Sequence, residues 1–287
     1  MSDSSFPKIF VIILNFNGLA TLPNCLSSVF QSDYPNFEVI VVDNDSKDGS
    51  FEQARQQFSR VHFIKNSSNI GFAKGNNIGI RYALEKFADY VFVLNNDTVI
   101  EKNALSLLEK TAAANSKAGI ISPLISDSNN ETWFAGGVVN WKEMKNTHLH
   151  HAISKNAYST EYVSGCAMFI KKDVFKKIGL FDERFFLYYE DADFSLRTRK
   201  ASFDLLVEPA AKVKHLEQSI SANSLKTYWL VLSGLLFFKI HASLSQKIWM
   251  FLYTFLRKIK NFYDLCFSKN TYASDVRKAY MDFKKIR

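Results

Sequence analysis

The chain has 287 residues, of which 47% are hydrophobic and 22% are charged, and its formal net charge is +8. This composition is sufficient for the buried core of one large α/β domain with an appendage, and it excludes a disordered protein. The three cysteines lie far apart without ligand-like spacing, so they predict neither a disulfide framework nor a zinc site. The polar N-terminus has no signal-peptide pattern, which predicts a cytoplasmic protein.

Short apolar runs alternate with amphipathic segments in the first hundred residues. The runs predict strands over 9–14, 39–42, 61–64 and 90–94, and the segments between them predict helices over 22–30, 51–58 and 73–87. This β-α-β-α-β-α-β order implies a mostly parallel sheet with helices on both faces.

Polar clusters follow all four predicted strands, at 15–18, 43–46, 66–71 and 95–97. Taken singly, each cluster is more typical of a turn or a helix cap than of a ligand contact. Together they predict a crevice of amides and carboxylates, because parallel sheets bind ligands at the carboxyl ends of their strands. The sequence has no Gly-rich phosphate loop, so a bound nucleotide would need a metal on its phosphates. Asp97, directly after a buried strand, is the natural ligand for that metal.

The middle of the chain is predicted to add further strands. Segments 133–141 and 162–171 predict strands joined by a polar loop with three histidines, which we interpret as solvated: His148, His150 and His151. Segment 175–181 predicts a short helix ended by Gly179, and strands are predicted over 203–207 and 212–214. The last strand ends at His215, for which a structural role and a role in the same pocket as Asp97 are both open.

Three carboxylates, Glu190, Asp191 and Asp193, directly follow the apolar run 185–189. Carboxylates crowded beside an apolar wall repel one another and lose hydration, which raises at least one pKa toward that of a general base. The alternative is a plain helix start, where acidic residues are favourable.

Seven motifs occur in a fixed order over residues 8–220: VIILNFNG, SVFQSDYP, FEVIVVDNDSKDGS, NIGFAKGNNIGIRYA, VFVLNNDT, SGCAMFIKKDVFKKIGLFDERFFLYYEDADFSLR and VKHLEQS. In this order they resemble glycosyltransferase family 2, and especially its bacterial rhamnosyltransferase-like branch. The resemblance implies a GT-A fold and an inverting transfer from a nucleotide-diphosphate sugar, such as dTDP-rhamnose or a UDP-hexose. The implied acceptor is a hydroxyl of a glycan or a lipid-linked glycan in the synthesis of a bacterial cell-surface polysaccharide.

The resemblance also assigns residues. Asp43 would contact the pyrimidine base, and further nucleotide contacts would come from Asn15, Asn17, Asn44, Gly71, Lys74, Asn76 and Asn96. Asp97 and His215 would hold a divalent metal, Mg²⁺ or Mn²⁺, while Asp191 would be the catalytic base and Glu190 would orient the loop or the sugar. The motif at 95–97 is Asn-Asn-Asp where the family has Asp-x-Asp, so only one carboxylate remains there to bind the metal.

The C-terminal segment differs from the rest in charge. Residues 226–287 include 12 Lys/Arg and 3 Asp/Glu, whereas positions 1–225 include 24 Lys/Arg and 25 Asp/Glu. Its charge-free apolar runs, 228–238 and 248–256, are too short to span a bilayer, and they predict amphipathic helices on an anionic membrane surface, the inner face of the plasma membrane. The alternative is a helical bundle packed on the body or on another subunit of a homo-oligomer. Nucleic-acid binding is not expected, because the aromatic residues are not interleaved with Lys and Arg.

We therefore predict a GT-A domain over 1–222 and a basic helical extension over 223–287. Two other functions stay open at this point: a nucleotidyltransferase, and a non-catalytic carbohydrate- or lipid-binding module. The first would need a Gly-rich, basic loop after the first strand, where this chain has Asn-Phe-Asn-Gly.

Overall fold

The structure is a computed structural model and describes residues 6–216, 224–268 and 270–286. The elements of the body are, in chain order, β1 (Ile9–Asn15), α1 (Leu22–Phe30), β2 (Phe37–Asp43), α2 (Ser50–Gln57), β3 (Val61–Lys65), α3 (Phe72–Glu85), β4 (Tyr90–Asn95), β5 (Thr98–Ile100), α4 (Ala104–Ala114), β6 (Ala118–Ser126), β7 (Thr132–Phe134), β8 (Gly137–Asn140), β9 (Lys145–His148), β10 (Tyr158–Ser159), β11 (Ala167–Lys171), α5 (Lys172–Ile178), α6 (Glu190–Lys200) and β12 (Asp204–His215). The extension forms α7 (Ser224–His241), α8 (Leu244–Phe267) and α9 (Ala273–Phe283).

The large sheet has the strand order β10-β12-β6-β11-β4-β1-β2-β3. Strands β1 to β4 are parallel to one another, as predicted, whereas β11 lies antiparallel between β4 and β6. The register pairs Asn15 with Asp43 and Leu14 with Asn95. The polar strand ends predicted from the sequence therefore lie side by side at one edge.

Alternate residues of the buried strands face two separate cores. On one face, Ile9, Val11 and Ile13 of β1 belong to a cluster that includes the apolar side chains of α1 and α4. On the other face, Phe10 and Ile12 pack in a second cluster with residues of α3, α5 and α6. This two-residue alternation explains why β1 reads as an uninterrupted apolar run, since both of its faces are covered.

Three details differ from the predicted elements. The strand predicted over 133–141 is divided into β7 and β8 at Gly136, which has φ +121°. Only the second half of 162–171 is strand, because residues 165 and 166 form a turn before β11. The strands predicted over 203–207 and 212–214 are one strand, β12, with a register shift between Glu208 and Lys212.

The extension is docked on the body through α7. Leu236, Phe237 and Phe238 are buried in the same cluster as the β1 side chains. The boundary predicted between residues 222 and 223 lies outside the described residues. No helix in the described parts of the chain is long and apolar enough to cross a membrane.

Candidate functional site

A buried hydrogen-bond network organises the first two strand ends. The Asn15 side-chain amide Nδ2 lies 2.7 Å from Asp43 Oδ1 and 3.0 Å from Ser46 Oγ. The other Asp43 oxygen accepts a 2.9 Å hydrogen bond from the backbone N–H of Ser46. Asn96 Nδ2 donates to Asn15 Oδ1 at 2.9 Å and so ties the fourth strand end to the first. Asn15 and Asp43 are fully buried, so their side chains shape the two loops.

A first cavity, of about 330 Å³, opens beside this network. Four of the predicted site residues line it: Asn44, Gly71, Asn96 and Asp97. Its remaining wall is rich in aromatic residues and includes Phe16, Phe72, Phe186 and Trp229. No sequence pattern indicates these aromatic contacts, and Trp229 comes from α7 of the extension.

Gly71 is required at this wall for two reasons. Its φ is +85°, in the left-handed region that side chains disfavour. A Cβ atom at this position would also lie only 2.5 Å from the carbonyl oxygen of Phe186. The carbonyl of Phe186 accepts a 2.7 Å hydrogen bond from the N–H of Phe72, so the loop cannot move away without losing that bond.

Three other predicted nucleotide contacts do not line the first cavity. Asn17 is exposed and its Oδ1 accepts a 2.8 Å hydrogen bond from the backbone N–H of Lys47. Lys74 is exposed on α3. Asn76 is fully buried, where its Nδ2 donates to the Phe72 carbonyl at 3.1 Å and its Oδ1 has no partner. Direct nucleotide contact by these three residues, and by Asn15 and Asp43, stays a prediction.

The side chains of Asp97 and His215 lie next to each other. Strand β5 pairs antiparallel with β12 and sets Thr98 opposite His215, while the Leu216 N–H donates to the Asp97 carbonyl at 2.7 Å. As a result, Asp97 Oδ1 and His215 Nε2 are 3.2 Å apart. Both atoms are buried and neither has a hydrogen-bond partner in the described structure.

A second cavity, of about 290 Å³, shares walls with the first. Phe72, Asn95 and Leu187 line both cavities. The second cavity is also lined by Glu190, Asp191, His215, Trp133, His148 and Gly165. The carboxylate cluster and the Asp97–His215 pair therefore face connected spaces.

The carboxylates stand at the start of α6, after a strained turn. Tyr188 and Tyr189 have φ values of +69° and +66°, which are uncommon for residues other than glycine and tend to occur at functional sites. Tyr189 packs its ring on Phe237 of α7, at 5.3 Å between centroids. The extension thus supports the turn that presents Glu190 and Asp191.

The environments of Glu190 and Asp191 push their protonation states apart. Glu190 is 5% exposed and its Oε2 has no partner, and burial beside the Asp191 charge holds its pKa well above the ordinary value. Burial also raises the pKa of Asp191, but hydrogen bonds from the N–H groups of Gly165 (2.9 Å) and Ala192 (2.7 Å) stabilise its ionised form. The ionised form is therefore better stabilised at Asp191 than at Glu190.

His148 contradicts the prediction of a solvated histidine loop. It lies in β9, and its ring makes edge contacts with Trp133 and Phe134 at 4.6 and 5.0 Å between centroids. Burial lowers its pKa to about 4, so the ring is neutral at physiological pH. His150 and His151 are exposed, in agreement with the prediction.

Comparison with protein families gives a match to the model of glycosyl transferase family 2 over residues 10–179. Among curated proteins, the chain is 31% identical over 217 residues to the low-salt glycan biosynthesis hexosyltransferase of Haloferax volcanii, covering 71% of this chain and 66% of that one. It is 26% identical to the dTDP-rhamnosyl transferase of Shigella flexneri, covering 72% and 69%. It is 24% identical to the N-acetylglucosaminyl-diphospho-decaprenol L-rhamnosyltransferase of Mycobacterium tuberculosis, covering 71% and 75%.

Solved structures share the architecture. GalNAc-T7 with UDP, GalNAc and Mn²⁺ superposes with a TM-score of 0.64 at 18% identity, covering 80% of this chain and 48% of that one. The Pyrobaculum calidifontis mannosyltransferase with GDP-Man and Mn²⁺ gives a TM-score of 0.61 at 13% identity, covering 98% and 88%. The predicted GT-A fold, with its mostly parallel sheet and its C-terminal helices, is confirmed.

Proposed function

The chain belongs to glycosyl transferase family 2, and on that premise we propose that it moves a sugar from a nucleotide-diphosphate donor to a hydroxyl of a glycan or lipid-linked acceptor. Its proposed donor is dTDP-rhamnose or a UDP-hexose, because its relatives include a dTDP-rhamnosyl transferase and a hexosyltransferase. Membership of this family favours glycosyl transfer over the nucleotidyltransferase and binding-module alternatives. The proposed pathway is bacterial cell-surface polysaccharide synthesis.

The environment of Asp191 is the observation that carries the mechanism. Asp191 faces the second cavity, and the Gly165 N–H fixes its carboxylate from the side through Oδ2. We assign Asp191 as the general base that takes the proton of the acceptor hydroxyl as that oxygen attacks the anomeric carbon. The bond from that carbon to the diphosphate breaks on the opposite face, so the transfer is inverting and needs no covalent intermediate.

Glu190 has a different part in this proposal. We assign it the protonated state, because burial beside the Asp191 charge raises its pKa well above the ordinary value, and its Oε2 lacks a hydrogen-bond partner in the described structure. A neutral carboxyl can donate one hydrogen bond to a sugar or acceptor oxygen, and it does not compete with Asp191 for the proton. Glu190 thus orients the reactants, while the proton goes to Asp191.

The donor nucleotide is proposed to occupy the first cavity. Asn44 and Asn96 supply amides there, Gly71 allows close approach of the backbone, and the aromatic wall offers a face for a base to stack on. Asn15 and Asp43 support this site indirectly by holding the loops that carry Asn44 and Asn96.

The Asp97 and His215 side chains fit a divalent cation, Mg²⁺ or Mn²⁺. Two ligands that each bind a metal at about 2.1 Å and at a right angle are about 3.0 Å apart, close to the observed 3.2 Å between two otherwise unpartnered atoms. The described residues include no group of three or more His, Cys, Asp or Glu side chains suited to a metal, so oxygens of the diphosphate would complete the coordination. Such a cation would stabilise the negative charge that develops on the leaving diphosphate.

We propose that the protein acts at the inner face of the plasma membrane, on the cytoplasmic side. The Mycobacterium tuberculosis relative is named for a diphospho-decaprenol acceptor, which is a lipid. A lipid-linked acceptor keeps the reaction at a membrane, and the basic extension from residue 226 is the proposed contact.

Substitution of the proposed base tests this function. Asp191→Asn keeps the shape of the side chain and removes the base, so we expect donor binding to survive while kcat falls about 10²–10⁴-fold. Glu190→Gln, which also keeps a neutral polar group, should reduce kcat less. Turnover near that of the wild type in Asp191→Asn, with dTDP-rhamnose or UDP-hexoses and a competent acceptor, would remove Asp191 from the mechanism.

The pH dependence gives a second readout of the same group. A base works only when ionised, so kcat/KM should be lost as the pH falls through the pKa of Asp191. Because burial raises that pKa above the ordinary 3.8, the acid limb should lie above that value. An acid limb that persists unchanged in Asp191→Asn would assign it to another group.

A further inference from the structure

Helix α8 presents an apolar face to solvent along its whole length. The apolar residues of this face recur at intervals of three and four residues. We call them the α8 stripe: Leu244, Ile248, Phe251, Phe255, Ile259 and Phe262. Each of them is between 53% and 80% exposed. Only Met250 and Asn261 of this helix are buried. A contiguous apolar face of this length marks an interaction surface.

A basic groove lies between α8 and α9, beside the stripe. This α8–α9 groove has a volume of about 270 Å³ and is lined by Lys258, Arg277 and Lys284, with apolar contacts from Phe262, Leu265 and Met281. Phe262 belongs to both the stripe and the groove. No carboxylate is among the residues that line it.

The three cations of the groove have no counter-charge in the described parts of the chain. None of them forms an ion pair there; Lys258 lies over the Tyr280 ring, 5.3 Å from its centroid. Arg277 on α9 and Lys284, directly after the end of α9, are seven residues apart and line the same groove, and Lys258 approaches from α8. Three unpaired cations around one concave site form a natural binding site for a phosphate.

We infer that the α8–α9 groove binds the phosphate of an anionic phospholipid headgroup, with the acyl region of the bilayer against the α8 stripe. This inference rests on the proposed membrane contact of the extension and specifies where it occurs. A free phosphate would use the cations but not the adjoining apolar residues. A phospholipid uses both, because its charge and its hydrocarbon are covalently joined.

A second copy of the chain is a less suitable partner for this face. Residues 226–287 have 12 basic and 3 acidic side chains, so two stripes packed together would bring two strongly positive extensions into contact. Repulsion between them opposes that dimer, whereas the same charge favours an anionic bilayer.

Vesicle cosedimentation of the full chain tests the inference. The groove variant is Lys258→Gln, Arg277→Gln and Lys284→Gln. The matched control, Lys247→Gln, Lys260→Gln and Lys285→Gln, removes the same charge from the extension outside the groove. Each basic residue near an anionic surface contributes about fivefold to binding, so the groove variant should bind phosphatidylglycerol-containing vesicles about 100-fold more weakly than the wild type. The control should weaken binding by a smaller factor than the groove variant does, because its lysines contribute general attraction to the surface but no contact with the bound phosphate.

The outcomes distinguish an error in the proposed membrane contact from an error in the proposed groove site. If the wild type does not bind anionic vesicles, the membrane contact itself is wrong. If both triple variants weaken binding equally, only the groove is wrong.

A double variant, Phe251→Gln with Phe255→Gln, tests the α8 stripe. It changes exposed residues only, so it should weaken binding to vesicles while the melting temperature stays the same. Inorganic phosphate that displaces the protein from vesicles at millimolar concentration would contradict a lipid-specific site. A dimer in sedimentation velocity without lipid, abolished by the Phe251 and Phe255 changes, would assign the stripe to a second copy.

Discussion

At the scale of single residues, the proposed metal site depends on the separation of Asp97 and His215. The two side chains come from strands β5 and β12, and only the pairing of those strands brings Oδ1 and Nε2 to 3.2 Å. Trp133 packs edge-on against the His215 ring, 4.8 Å between centroids, and fixes its orientation. Support of this kind around a metal-binding histidine tunes its affinity.

We expect Asp97→Ala and His215→Ala each to weaken Mn²⁺ binding in the presence of UDP or dTDP by at least about tenfold, because each removes half of the protein ligands. Calorimetric titration of Mn²⁺ into the protein with nucleotide measures this directly. His150→Ala, which changes an exposed histidine, is the control and should bind Mn²⁺ as the wild type does. Full activity of the wild-type enzyme in excess chelator would rule out the metal model.

Asp43 illustrates what a sequence cannot specify at this scale. Its position at a strand end was predicted correctly, and the register sets it beside Asn15. The direction of its side chain depends on the loop that follows, where Ser46 turns back and donates to both carboxylate oxygens. A strand pattern therefore predicts which residues gather at the edge of the sheet, but not which of them face a cavity.

At the scale of elements, the strands and helices with strong periodicity were predictable. Strands β1 to β4 and helices α1 to α3 agree with the sequence pattern to within two residues at nearly every end. The sequence pattern does not predict helix α4 or strand β6. Strand β6 includes a glycine and a proline, which interrupt its apolar run. The sequence predicts two strands in place of β12, because Pro209 lies between the two apolar runs. In the structure a register shift between Glu208 and Lys212 lets the strand continue past this proline.

The hairpin formed by β8 and β9 explains the error on His148. The two strands pair over four residues each, and their pairing sets His148 opposite Gly137. Folding of the hairpin brings the ring against Trp133 and Phe134. A histidine within a polar segment gives no local sign of that burial, because the aromatic partners come from β7, which lies outside the hairpin.

Helix α7 is joined to α6 by a buried polar contact. His241 Nε2 lies 2.8 Å from Asp193 Oδ1, and the two side chains are 2% and 1% exposed. The Lys200 ammonium approaches His241 Nδ1 at 3.2 Å, so that nitrogen accepts and Nε2 donates to Asp193. The other oxygen of Asp193 accepts from Arg197 Nε at 2.8 Å. Asp193 thus holds the extension to α6, the helix that contains the proposed base.

His241→Leu should lower the free energy of unfolding by about 1–3 kcal/mol, because it leaves one oxygen of a buried carboxylate unpaired. Urea unfolding measures the change. Lys239→Leu is the control on the same helix. The Lys239 Nζ is exposed, donates to the Ile286 carbonyl and lies over the Phe283 ring, so a loss of about 0.5 kcal/mol is expected. Equal stability of His241→Leu and the wild type would mean that the buried contact does not hold α7 in place.

At the scale of the whole molecule, the extension divides into a part that completes the body and a part that faces outward. Helix α7 buries Leu236, Phe237 and Phe238 in the main core, and Ser233 donates to the Leu187 carbonyl at 2.8 Å. Helix α8 buries only two residues and exposes its stripe. The net charge of the chain thus lies on a segment whose first helix is structural and whose second helix is available to a partner.

Two truncations distinguish these parts. Burial of three large apolar side chains contributes about 5–9 kcal/mol, which is comparable to the whole stability of a typical domain. A chain ended after residue 222 should therefore lose cooperative unfolding, although the sequence predicts a domain boundary there. A chain ended after Ala242 keeps the three side chains and the His241–Asp193 contact, and it should unfold cooperatively at a lower melting temperature, since α9 no longer packs on α7. Calorimetry of both truncated chains measures this. If the chain ended after residue 222 melts like the full chain, α7 is not part of the body, and the GT-A domain ends before it.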